Sequence, residues 1–179
     1  MVTFFLASLA VVAQAAVAVA AALGIAGRWS AGARRAGARL RAAVAPDALL
    51  LALAVAVVST TGSLYFSERL HFTPCKLCWY QRIAMYPLVP MLAVAVWRRD
   101  AGVRRYAMPL ALAGGAISAY HVVVERFPSL ESGSCDPNNP CSIIWVERFG
   151  YLTIPTMALS AFALIVALLL AVRTESEAS

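Results

Sequence analysis

Two cysteines stand three positions apart in TPCKLCWYQRIAMYP, residues 73–87, and Arg82 follows Cys78 by four. A C-x-x-C pair at the start of a helix is the arrangement in which one thiol has its pKa lowered, because the unsatisfied N–H groups and the positive end of the dipole favour thiolate. Thiolate is both the attacking and the leaving form in disulfide exchange. With the helix taken to begin near Trp79, these groups address Cys78. The ring that such a bridge closes is too small to contribute much loop-closure entropy, so redox work fits the spacing better than stapling. A second pair, Cys135 and Cys141, brackets the turn-forming string SCDPNNPC, in which proline and asparagine restrict and bend the backbone. A zinc site of four sulfurs fits poorly, since structural sites use two tight knuckles and C-x5-C is loose, so no metal is expected. Four cysteines divided two and two read as two disulfides or as one exchanging set.

Arg82 lies on the same helical face as Cys78. It reads either as an interfacial anchor beside the aromatic belt residues Trp79 and Tyr80, or as a hydrogen-bond donor to whatever takes electrons from the dithiol. A dithiol that turns over must pass two electrons on, and neither a Gly-rich dinucleotide fingerprint nor a haem C-x-x-C-H motif occurs. A lipid-soluble quinone is the natural acceptor at this depth. His121, in SAYHVVVERF, is the other titratable group at that level and a candidate quinone contact. His71, just ahead of the C-x-x-C, reads as a surface residue, and Pro87 and Pro90 are expected to bend their helix.

These residues need a membrane to hold them. Of 179 residues 61% are apolar and 13% charged, against roughly 45–50% and about 25% in soluble domains. A bilayer core roughly 30 Å thick takes about 20 apolar residues per helix, and five such segments fit: Thr3–Ala26, Ala48–Phe66, Trp79–Trp97, Tyr106–Val124 and Leu152–Val172. The net charge of +6 does not signal nucleic acid, because the bases lie in short connections. Arg28, Arg34, Arg35, Arg39 and Arg41 follow the first span; Arg98, Arg99, Arg104 and Arg105 follow the third; Arg173 closes the last. The positive-inside rule puts these in the cytoplasm, which leaves the N-terminus and both cysteine loops outside and the C-terminus inside. The first apolar run is longer than a signal-peptide core and has no charge before Arg28, so it reads as a retained helix. The linker GRWSAGARRAGARLRAAVAP reads as cytosolic, in part an interfacial helix.

With these residues in place, the chain resembles the DsbB family of membrane thiol:quinone oxidoreductases, its BdbC-like branch in particular. PCKLCWYQRIAMYPL is similar to that branch's redox motif, and PCSIIW with TIPTMALSAFALI to its second loop and last helix, over about residues 48–172. In the related vitamin K epoxide reductases the loop cysteines come first; here the C-x-x-C does. The resemblance implies a four-helix bundle of DsbB type, and with the first apolar run the expected fold is all-α integral membrane, that bundle plus one extra N-terminal transmembrane helix. Its divisions are 1–47 for that helix and the basic linker, 48–173 for the redox bundle and 174–179 for a cytosolic tail. It implies a bacterial cytoplasmic membrane, ubiquinone or menaquinone as acceptor, and a DsbA- or BdbD-like thioredoxin-fold thiol oxidase as partner. By the motif, Cys135 would form the mixed disulfide with that partner, Cys141 would exchange with Cys75, and Cys78 would face the quinone beside Arg82. Two departures stand out: residues 1–47 are additional, and Cys135 and Cys141 are closer together than in proteobacterial members, with little room for an amphipathic helix between them. Readings from other classes are a membrane scaffold or transporter subunit with two inert disulfides, and a thiol reductase running the relay outward.

Overall fold

The computed structural model describes residues 1–131, 135–136 and 138–172, so Arg173 and the tail 174–179 lie outside the described residues. Where hydrocarbon surrounds the chain, backbone polar groups must be satisfied within each segment, and the apolar runs accordingly form helices. These are α1 (Val2–Ala26), α2 (Ala31–Val44), α3 (Ala48–Glu68), α4 (Lys76–Met85), α5 (Leu88–Arg98), α6 (Arg104–Arg126) and α7 (Ile154–Ala171). A short hairpin, β1 (Glu147–Arg148) with β2 (Leu152–Thr153), precedes α7. Four helical runs are long and apolar enough to cross a membrane: Val2–Ala26, Ala31–Glu68, Ala101–Arg126 and Ile154–Ala171.

The segment expected as one span over Trp79–Trp97 is instead two helices in series, α4 and α5, which part at Tyr86–Pro87. Pro87 has no N–H to return to the preceding turn, so the ladder stops there. Bonds from Tyr86 N to Arg82 O (2.9 Å) and from Val89 N to Tyr86 O (3.2 Å) carry the chain across the break. The linker after α1 is also more regular than a loose connection. Ser30 caps α2 by accepting from Ala33 N, and a 3-10 turn at Ala45–Asp47 joins α2 to α3. α2 carries Arg34, Arg35, Arg39 and Arg41 and has no buried residue.

The bundle core is built from small residues on α3 and α6 against large ones on α5 and α7. Ala52, Ala56, Ala107 and Ala111 meet Leu88, Leu92, Phe162 and Ile165. Gly114 makes the closest approach: a Cβ there would lie 2.2 Å from Phe162 Cζ. Small residues at such crossings let helix backbones come together, which is what drives association in lipid. α1 packs on β2 and α7 in the same way, Ala7 and Ala10 meeting Leu152 and Met157, while Phe4, Phe5, Val12 and Val19 face outward.

The two ends of the bundle differ. At one end lie both cysteine loops, the hairpin and the start of α1, tied by Arg148 Nη2 donating to Thr3 Oγ1 at 3.1 Å and by the Phe4–Phe149 ring contact at 5.6 Å. The hairpin turn brings Phe149 there with two successive positive φ values, 53° at Phe149 and 75° at Gly150, the backbone of a tight antiparallel turn. At the other end Ala48, Ala171 and Val172 pack together near the arginine-bearing connections.

Candidate redox site

α4 begins at Lys76, three residues earlier than the sequence reading placed it, and this changes which sulfur the helix end addresses. Cys75 is the N-cap: its backbone is extended and its Sγ accepts from Cys78 N at 3.4 Å. The capping position, in which a side chain receives a free N–H of the first turn, is thus filled by sulfur. The expectation that the helix end favours a Cys78 thiolate is therefore corrected to Cys75. Both are free thiols with Sγ atoms 3.1 Å apart, Cys75 buried and Cys78 half-buried. The hydrogen bond from the Cys78 thiol brings the Cys75 pKa down from 9.0 to about 4; His121 adds to this, against the upward push of burial.

On the Cys75 side the site is closed and polar. His121, 2% exposed on α6, places Nε2 at 3.7 Å from Cys75 Sγ and at 2.9 Å from the Cys141 carbonyl oxygen. Gln81 Nε2 lies 2.9 Å from His121 Nδ1. A Gln81 amide donating to Nδ1 leaves the proton on Nε2, where it points at both the Cys141 carbonyl and Cys75 sulfur; one tautomer satisfies all three contacts.

Cys141 is joined to Cys135 by a disulfide with a Cα–Cα distance of 6.1 Å. Cys141 is buried and Cys135 half-buried. The loop around them is held by a carboxylate: Glu131 accepts from Cys141 N and, at 2.9 Å, from Ser142 Oγ. Asn139 Nδ2 donates to Pro74 O at 3.2 Å, which fastens the second loop to the residue before Cys75. All four cysteines meet in one apolar cluster with Leu77, Val124 and Ile117.

The Cys78 side is different. An apolar cavity of about 400 Å³ opens between helices α1, α3, α4 and α7, and Cys78 and Arg82 are on its wall. Arg82 is held there by Nε donating to Ser63 Oγ at 3.0 Å and Nη2 to Ser63 O at 3.1 Å, with its guanidinium 5.2 Å from the centre of the Trp79 ring. Tyr86 Oη donates to the same Ser63 Oγ at 3.3 Å. Phe66, Phe72 and Trp145 stack in succession at the cavity's loop end.

Of the residues the sequence singled out, Cys75, Cys78, Cys135, Cys141 and His121 come together and Arg82 stands beside Cys78. His121 is not on the cavity wall with Arg82; its contacts are with Cys75, Gln81 and Cys141. His71 is exposed. Three partners went unrecognised: Gln81, Ser63 and Glu131. Gln81 did carry a signal, as a buried amide in a largely apolar helix needs a hydrogen-bond partner; Ser63 and Glu131 carried none beyond their polarity.

Comparison with known proteins agrees with this chemistry. The family model "Disulfide bond formation protein DsbB" matches residues 45–172. "Disulfide bond formation protein C" of Bacillus subtilis is 45% identical over 113 residues, which is 63% of this chain and 82% of that protein. "Probable disulfide formation protein" of Oceanobacillus iheyensis is 38% identical over 133 residues, 73% of this chain and 92% of its own. No solved structure matches significantly. An all-helical membrane bundle with a thiol pair against a disulfide, and a family match over most of its length, make the conclusion direct: the chain belongs to the DsbB family of disulfide bond formation proteins.

Proposed function

We propose that this disulfide-forming membrane oxidoreductase is a thiol:quinone oxidoreductase that carries electrons from an extracytoplasmic thioredoxin-fold thiol oxidase, through its two cysteine pairs, to ubiquinone or menaquinone. The observation that carries the reading is the division of the C-x-x-C pair: Cys78 with Arg82 lines the apolar cavity, and Cys75 faces His121 and Cys141. One sulfur addresses a hydrocarbon-side acceptor, the other the loop pair.

The relay balances at each step. A reduced partner gives two electrons and its two thiol protons to the Cys135–Cys141 disulfide and leaves with its own disulfide formed. Cys135, half-buried where Cys141 is buried, is the sulfur that a protein partner reaches. The loop dithiol then reduces the Cys75–Cys78 disulfide, each exchange proceeding by thiolate attack on sulfur. Finally the Cys75 thiolate and the Cys78 thiol close to a disulfide, and their two electrons, the Cys78 proton and one proton from solvent convert quinone to quinol. Arg82, fixed by Ser63, donates to a quinone carbonyl oxygen and supports charge developing there. The cavity suits such a ring: its wall is mostly apolar, with Cys78, Arg82, Ser63, Gln81 and Tyr86 among its few polar residues. His121 is a positioning residue for the Cys75 thiolate and the Cys141 carbonyl.

The orientation that suits this relay has the cysteine end outside a bacterial cytoplasmic membrane. The start of α1 lies at the cysteine end, and Arg98, Arg99, Arg104 and Arg105 lie in and beside the α5–α6 connection at the opposite end, as the positive-inside rule asks of a cytoplasmic face. The test is anaerobic. Purified protein is fully reduced, ubiquinone or menaquinone is added, and free thiols are followed together with quinol. Two thiols lost per quinol formed supports the assignment; thiols that stay reduced in the presence of either quinone overturn it.

A further inference from the structure

The cavity beside Cys78 has a wall that the family match does not include. That match begins at residue 45, whereas α1 ends at Ala26. Leu6, Leu9, Ala10 and Ala13 of α1 nonetheless line the same cavity as Ser63, Cys78 and Arg82. Their spacing of three and four puts them on one face of the helix. The remaining sides come from α3, α4 and α7, all inside the matched region.

α1 is docked by specific contacts at this position. Gln14 Nε2 donates to Ser160 Oγ on α7 at 2.9 Å, and Tyr151 Oη donates to Gln14 Oε1 at 2.7 Å. An amide within an apolar span is costly unless paired, so the two bonds fix both the depth and the rotation of the helix. Thr3 and Phe4 repeat the anchorage at the hairpin. The same rotation presses Leu6 onto α3: a Cβ at Gly62 would lie 3.0 Å from Leu6 Cδ1. Gly62 precedes Ser63, the residue that holds Arg82. Leu6 therefore sits one residue from the anchor of the guanidinium.

We infer that α1 is part of the acceptor site: Leu6, Leu9, Ala10 and Ala13 form its lipid-side wall, contact the bound quinone and limit the ring and tail that fit. This rests on the thiol:quinone reading and adds a recognition element that the matched bundle does not supply. A groove between α3 and α7 that acyl chains would otherwise enter becomes a cavity with a defined width. Enlarging a side chain on the α1 wall then excludes acceptor without touching sulfur exchange.

The experiment uses the full chain in detergent micelles and an azidoquinone as photoprobe, with competition by unmodified quinone and mapping of the labelled peptides. Competed label is expected on α1 between Leu6 and Ala13 as well as near Ser63 and Arg82. Label near Ser63 and Arg82 with none on α1 overturns the α1 wall and leaves the quinone reading standing; no competed label at either place counts against both. As a second arm, Leu6→Trp is expected to raise the quinone KM about tenfold, the scale of a one-side-chain overpacking, with exchange between the loop pair and the protein partner unchanged. Val19, exposed and away from this cavity, supplies the control. Equal KM values for Val19→Trp and Leu6→Trp would sink the proposal.

Discussion

At Cys75 Sγ three groups converge: the Cys78 thiol at 3.1 Å, the Cys78 backbone N–H at 3.4 Å and His121 Nε2 at 3.7 Å. Each stabilises negative charge on that sulfur, so thiolate is its resting form in the reduced protein. The sign follows from the lowered pKa: Cys75 stays ionised as pH falls from 9.0 and protonates only as pH passes through about 4. In the Cys135→Ser/Cys141→Ser variant, reduced, ultraviolet thiolate absorbance is expected to show one thiolate at neutral pH that disappears near that value. His121→Ala should move the midpoint upward; an unchanged midpoint would remove His121 from the site's electrostatics. Arg82 acts on the other sulfur's side. Losing a charged hydrogen-bond donor of this kind costs roughly 1.5–3 kcal/mol, so Arg82→Ala is expected to raise the quinone KM by about 10- to 100-fold. Exchange with the protein partner should be nearly unaffected, and equal losses in both would return Arg82 to an anchoring role.

Helix α4 shows how one element positions both sides of the thiol pair. Its first residue sets Cys75 as the cap, its second turn carries Arg82 to Ser63, and its end at Met85 frees Tyr86 to reach that same serine. The break at Tyr86–Pro87 was legible as a bend because proline removes a donor, and the same missing N–H divides the span into two helices. Crossing helices α6 and α7 stake their contact on Gly114, where any Cβ would enter the Phe162 ring. Gly114→Ala is expected to destabilise the bundle by about 1–3 kcal/mol, the cost of overpacking a close contact, seen as a lower Tm in detergent with quinone and partner specificity retained. The second loop depends on one carboxylate in a comparable way. Glu131→Ala removes the acceptor of Cys141 N and Ser142 Oγ. It should slow electron transfer between the cysteine pairs, measured by stopped-flow thiol oxidation, while leaving direct oxidation of the Cys75–Cys78 dithiol by quinone intact.

The whole molecule gathers its cysteine pairs and the apolar cavity beside Cys78 at one end. The cysteine loops, the hairpin and the start of α1 share that end, and the α5–α6 arginines occupy the other. In a variant with all four cysteines replaced, single cysteines at Thr3 and Phe149 are expected to react with a membrane-impermeant maleimide added to spheroplasts, and one at Arg99 only after lysis. Reaction at Arg99 in intact spheroplasts would invert the topology and with it the proposed direction of the relay.

Hydrophobic run lengths and the paired cysteines made the helical membrane fold and the thiol site legible, because each is a property of neighbouring residues: span length follows from bilayer thickness, and the C-x-x-C spacing from a helix start. Gln81 binding His121, Ser63 holding Arg82 and α1 walling the cavity join residues 19 or more positions apart, or separate helices altogether. No spacing rule reaches that far. Which face of an apolar helix meets its neighbour is set by small residues and a few polar contacts, such as Gln14 with Ser160, that acquire meaning only once the helices are packed.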